Sequence, residues 1–219
     1  MGPPIDDVFP IIDNKLDLVE RSFYHYRMNT KNTYEIRNKL LAVTESLIYQ
    51  YGIHATGMEQ IVKETGISRK TIYRYFSNKD DLCAQALLSR DERWMKWFTD
   101  SSLKGENPEA CILEMFHALK SWFMSGEFRG CAFINATGEI SDPTHPIRII
   151  AKEHQQKIFS FIQQLTEKLD VNKPLELARQ LLVLIDGAIT AAMMMNAPSV
   201  ADDAKEAARL LINNSLIQR

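Results

Sequence analysis

The 219-residue chain is 45% hydrophobic and 25% charged, a composition that supplies a buried core and excludes wholesale disorder. Its 26 Lys and Arg against 28 Asp and Glu leave a formal charge of −2, so the molecule as a whole is no polycation. Three widely spaced cysteines, Cys83, Cys111 and Cys131, offer no CxxC pair and fit a reducing cytoplasm better than a disulfide scaffold.

Nine Gly and eight Pro punctuate the chain, and the windows between them have helical rather than alternating periodicity. The expected fold is all-α. Residues 1–32 form an N-terminal extension in which Ile11–Tyr26 suits a short amphipathic helix. Two readings of this extension stand side by side: a natural arm, or a segment preceding a natural start at Met28. From about Thr33 to Tyr51, Ile36, Leu40, Val43 and Leu47 recur at helical steps, and Gly52 suits the C-terminal stop. A short helix over Gly57–Thr65 follows, with Thr56-x-x-Glu59 as a capping box and Gly66 as terminator. Ser68 caps a third helix, Arg69–Phe76, and Ser77-x-x-Asp80 opens a fourth that reaches about Thr99. Further helices are expected near 108–125, 128–140, 146–170, 174–195 and 199–217, with proline-containing junctions between them.

The charge is not evenly spread. Between Met28 and Lys79 there are eight Lys and Arg against four acids, so this segment is +4 and the remainder −6. In the third helix Ile72 and Phe76 form an inner pair, while Lys70, Tyr73, Arg74 and Ser77 fall on one outward stripe. Arg69 and Thr71 flank its start. Such a helix, cationic outside and braced behind, suits the major groove, where Arg donates bidentately to guanine. The four-residue turn Thr65-Gly66-Ile67-Ser68 has helix-turn-helix length. Thr56 and Lys79, each at an expected helix start, are candidate phosphate contacts.

Arg69 to Leu82 (RKTIYRYFSNKDDL), preceded by Leu47-Ile48, Gly52, Ala55-Thr56, Met58, Ile61 and Gly66-Ile67-Ser68, resembles the N-terminal pattern of the TetR/AcrR family. The resemblance covers Tyr34 to Leu87. It departs from the usual pattern at Ile53, Gly57, Val62 and Lys70, and the last makes the operator unpredictable by analogy. It implies a helix-turn-helix DNA-binding domain over 33–80 and a helical ligand-binding and dimerisation domain over 81–219. It also implies that Thr71, Tyr73, Tyr75 and Lys79 touch phosphates or thymine methyls, while Arg69, Lys70 and Arg74 set sequence preference. The expected partners are a double-stranded DNA operator, a small-molecule effector and a second copy of the chain. Repression is the family default.

The C-terminal helices are less informative. Gly130–Ala136, followed by Asp142-Pro143-x-His145-Pro146, resembles a segment of one subset of the family without specifying a ligand. Small residues Gly187/Ala191 and Ala188/Ala192, with a stripe of Ala204, Ala208, Leu211 and Ser215, suit an isologous dimer. Candidate effector contacts are Trp97, Phe116, Trp122, Phe133, Asn135, His154 and Asp186, the last three because a polar group in an apolar stretch needs a partner. For each, a satisfied structural hydrogen bond is the competing explanation.

Two other chemistries compete with the regulator reading. A metal or redox sensor would draw on His117, His145, His154, Cys111 and Cys131, none of which is paired at helical ligand spacing. An enzyme would need a phosphate loop, a nucleophile elbow or a His-Glu-x-x-His pair, and the sequence has none; Glu139, Asp142 and His145 are equally well explained as turn and cap residues. No metal or cofactor is expected. Neither is a membrane: Met1–Ile12 lacks a basic leader, and the apolar run Leu181–Met195 is short and interrupted by Asp186.

Overall fold

A computed structural model describes residues 14–216, with side chains from Thr33 onward. Among the described residues there are nine helices: α1 Asn14–Tyr51, α2 Met58–Thr65, α3 Arg69–Ile72, α4 Lys79–Ser102, α5 Pro108–Phe123, α6 Ala132–Glu139, α7 Pro146–Thr166, α8 Pro174–Met195 and α9 Val200–Ser215. The chain divides into two compact units, the first ending at Lys39 and the second comprising Leu40–Arg219. The helix-turn-helix and the C-terminal helices belong to the second.

Most of the expected elements are present, and the differences have local causes. The first helix begins at Asn14, not near Thr33, because nothing between them breaks it; Ile11–Asp13 lie outside the described residues. Thr56 caps nothing. The N-cap of α2 is Gly57, with no side-chain bond, and the Thr56 hydroxyl instead donates to the Gly52 carbonyl at 2.7 Å. Asn78 rather than Ser77 caps α4, its side chain accepting from the Asp81 N–H at 2.8 Å. Ser77 contributes one step earlier, donating through its N–H to Asp81 at 2.8 Å. The third helix is α-helical only to Ile72; Arg74 and Tyr75 then bond three residues back, to Thr71 and Ile72, tightening the last turn.

In the C-terminal region α4 packs on α5 and α7, α7 on α6 and α8, and α9 on α5 and α8. Phe98, Ile112, Met115, Phe116, Leu119, Ile147, Ile162 and Leu181 are buried among these helices. By length and composition alone α8 would suffice to cross a bilayer, which the fifteen-residue reading of its apolar run understated. One face of it, Leu177, Ala178, Leu181, Ile185, Ala188 and Ala192, is buried within the second unit. Part of the expected self-association stripe is therefore used inside the single chain: Ala188, Ala192, Ala204 and Ala208 are all buried. The large apolar side chains left more than half exposed here are Val183, Met194 and Met195 on α8 and Leu210 on α9.

Candidate nucleic-acid interface

The turn between α2 and α3 is built by two residues with defined roles. Gly66 ends α2 in the left-handed region (φ 66°), where a side chain is disfavoured, and its N–H bonds the Val62 carbonyl at 2.9 Å. Ser68 then starts α3, its hydroxyl accepting from the Thr71 N–H at 3.2 Å and contacting the Thr71 hydroxyl at 2.9 Å. Ile72 and Phe76, each about 1% exposed, anchor the helix from behind, beside the buried Ile61 of α2.

The opposite face is open. Arg69, Lys70, Tyr73, Arg74 and Ser77 are exposed, and Tyr73 keeps 47% of its surface free. Thr71 and Tyr75 are half-buried at the edges. Arg69 is drawn 3.7 Å from Glu59 of α2, a solvent-exposed pair of little energetic weight. Lys70, Tyr73 and Arg74 are thus all exposed, at helical spacing on the side away from the buried Ile72 and Phe76.

Of two expected phosphate contacts, Thr56 is structural and Lys79 is partly so. Thr56 is fully buried, so its side chain meets no partner outside the fold. Lys79 crosses to the α1–α2 turn, where its ammonium donates to the Ile53 carbonyl at 2.8 Å and the Thr56 carbonyl at 3.0 Å. One of its three protons is left for another acceptor. The α4 N-terminus is also less anion-friendly than expected, because Asp80 and Asp81 already occupy the positive end of the helix dipole. The same turn is held from α6 by Glu139, whose carboxylate accepts from the Ile53 N–H at 3.0 Å and the His54 N–H at 2.8 Å.

Residues 40–86, from the end of α1 to the first third of α4, match the sequence model of the family described as "Bacterial regulatory proteins, tetR family". The likeness extends well beyond this segment. The TetR-family transcriptional regulator SCO4454 of Streptomyces coelicolor superposes with a TM-score of 0.78 at 27% identity, covering 83% of this chain and 96% of that one. The chain belongs to the TetR family. This TetR-family protein is also 22% identical to the HTH-type transcriptional regulator YjdC of Escherichia coli, over 77% of its own length and 88% of the relative's. It is 24% identical to the HTH-type transcriptional repressor NemR of E. coli, over 64% and 71% of the two chains. It is thus a helix-turn-helix transcriptional regulator and not an enzyme.

The expected effector contacts of this TetR-family regulator do not converge on one place. Trp97 and Trp122 line a cavity of about 390 Å³ together with Trp94, Glu45, Arg90, Arg93, Ser121 and Ser125. Phe133 borders a different cavity, of about 440 Å³, with Ile134, Arg148 and Gln155. Phe116 is plain core at 1% exposed. Asn135 donates to the Arg129 carbonyl at 3.0 Å, and Asp186 accepts from Gln155. Burial pushes the Asp186 carboxyl above the usual range, against the Gln155 bond.

His154 is buried beneath the face of Phe133, ring centroids 3.8 Å apart, and its Nδ1 lies 2.6 Å from Asp91. Burial alone would raise the Asp91 carboxyl, but bonds from His154 and Lys157 outweigh it and hold Asp91 below the usual carboxylate range. For His154 burial dominates and keeps the imidazole below its ordinary value despite the Asp91 bond. The pair is therefore a neutral imidazole donating from Nδ1 to a carboxylate. Sequence reasoning missed Asp91, Glu45, Arg90 and Arg93, because each is placed by a partner 45 to 66 residues away.

Proposed function

We propose that this regulator is a dimeric cytoplasmic repressor that grips a two-fold operator and is released from it by a small molecule. The observation that carries the DNA-reading half is the shared exposed face of Lys70, Tyr73 and Arg74, backed by buried Ile72 and Phe76. In this reading residues 33–80 are the DNA-binding domain and 81–219 the effector and dimerisation domain. Arg69, Lys70 and Arg74 read bases, and Thr71, Tyr73, Tyr75 and the free proton of Lys79 hold the backbone. The dimer is supported by Val183, Met194 and Met195 on α8 and Leu210 on α9, apolar side chains left more than half exposed. Repression follows the printed name of the E. coli relative NemR. Release needs only a modest bias: a tenfold loss of affinity corresponds to about 1.4 kcal/mol of differential effector binding.

The cysteines give little support to the competing redox reading. Cys83, Cys111 and Cys131 are free and buried, and burial pushes the thiols of Cys83 and Cys131 up to about 11, far from a reactive thiolate.

The test is selection from a random duplex pool by the purified chain, followed by sequencing of the retained DNA. An inverted repeat with half-sites roughly one helical turn apart is expected. Arg74→Ala should relax preference at one base pair of each half-site and cost about 1–3 kcal/mol. Failure to enrich any sequence at low salt would overturn the reading.

A further inference from the structure

All three tryptophans of the chain meet in the cavity between α1, α4 and α5. Trp94, Trp97 and Trp122 stand edge to face, with centroids 5.7–6.3 Å apart, so flat aromatic surface lines the hollow. At about 390 Å³ it lies in the size range of small-molecule sites. The charged part of its wall is a triad. Glu45 on α1 accepts from Arg90 at 2.9 Å and from Arg93 of the next turn of α4. One carboxylate against two guanidiniums leaves this wall with a net positive charge. The excess cation on this wall asks for an anionic oxygen.

We propose that this cavity takes a planar aromatic carboxylate, whose ring lies against the indole cluster and whose acid group draws Arg93 away from Glu45. The proposal rests on the effector-responsive reading above and names its ligand class. An aromatic cage by itself would equally suit an organic cation, but the two guanidiniums repel one. Arg93 is the arm that moves: its side chain is 58% exposed, whereas Arg90 is 17% exposed and lies 3.9 Å over the Tyr49 ring. Glu45 links α1, which leads into the helix-turn-helix, to α4, which carries both the cavity and the start that Lys79 pins. A ligand that competes for Arg93 therefore weakens the tie between the two helices that frame the DNA-reading unit.

Because no tryptophan lies elsewhere, indole emission reports on this cavity alone. The full-length protein would be titrated with 4-bromobenzoate, whose heavy atom quenches indole, and in parallel with 4-bromobenzyl alcohol and 4-bromobenzylammonium. The expected result is saturable quenching with at least about tenfold preference for the carboxylate (about 1.4 kcal/mol). Arg93→Gln, a change at an exposed side chain, should abolish that preference, while Glu45→Gln should strengthen carboxylate binding. Equal or tighter binding of the alcohol or the ammonium, or no quenching at millimolar concentration, overturns the proposal without touching the DNA-reading half. Release of the selected duplex by 4-bromobenzoate supports the coupling. Carboxylate-selective quenching with unchanged duplex affinity would uphold the site, overturn the coupling through Glu45 and sink the effector reading with it.

Discussion

Lys79 and Glu139 hold the same short turn by its opposite polarities. The ammonium takes the carbonyls of Ile53 and Thr56, and the carboxylate takes the N–H groups of Ile53 and His54. Buried or half-buried backbone that belongs to no helix must find such partners. Here they come from α4 and α6, so the loop that sets α2 and α3 against α1 is fixed by two charges from later in the chain.

Lys79→Ala is expected to lower stability by about 1.5–3 kcal/mol, because hydrogen bonds to a charged donor are lost. It should also weaken binding to all duplexes and reduce the salt slope by about one, through loss of the remaining proton's phosphate contact. Denaturant midpoints and binding at several salt concentrations measure the two effects separately. An unchanged midpoint would contradict the grip on the turn.

Glu139→Ala should cost about 1–2 kcal/mol, chiefly from the Ile53 N–H, since Ile53 is buried and His54 can turn to water. Hydrogen exchange at Ile53 is the direct readout. Faster exchange is expected there, with little change at Ser68 or Thr71, whose bonds are local.

The Asp91–His154 pair gives the fold a pH dependence with a definite sign. The imidazole is held below its ordinary value, so below about pH 6.5 the unfolded chain binds a proton that the folded one refuses. Its stabilising contribution is complete above that range and is lost as pH falls through it, with a limiting slope of about 1.4 kcal/mol per pH unit. Asp91 acts in the same direction from about pH 4 downward, and Asp186, raised by burial, in the opposite one from about pH 4 upward. His154→Asn retains an N–H but no titration, and the difference between its pH–stability curve and that of the wild type isolates the imidazole. Parallel curves between pH 7 and 5 would refute the assignment.

Replacing Val183 and Met194 together by Asp should halve the mass measured by light scattering. Both are exposed in the single chain, so the monomer should unfold within about 0.5 kcal/mol per site of the wild type. Retention of the full mass would place the dimer interface elsewhere.

The local grammar of the helix-turn-helix was readable in the sequence. Gly66 and Ser68 act within a few residues of themselves, and the spacing of Ile72 and Phe76 alone settles which side of α3 faces out. Wherever a side chain had a choice of partners, spacing failed. Thr56 looked like a cap but turned back onto Gly52, because Gly57 left it free to do so. Lys79 looked like a phosphate contact alone, yet two of its protons go to carbonyls more than twenty residues upstream. The tryptophans could be listed as apolar lining, yet nothing in their spacing reveals the Glu45–Arg90–Arg93 triad that gives the cavity its sign.

From Lys79 to Ser102, α4 contains neither glycine nor proline. At about 1.5 Å per residue, Lys79 and Trp97 stand some 27 Å apart on one stiff rod. A tilt of about five degrees, pivoted near the indoles, would shift the far end by roughly 2 Å, a distance that matters to hydrogen bonds. In the proposed function, the small molecule and the DNA sequence are thereby specified at separate ends of a common shaft. Either end can drift in evolution, or be exchanged by an engineer, without rewriting the other.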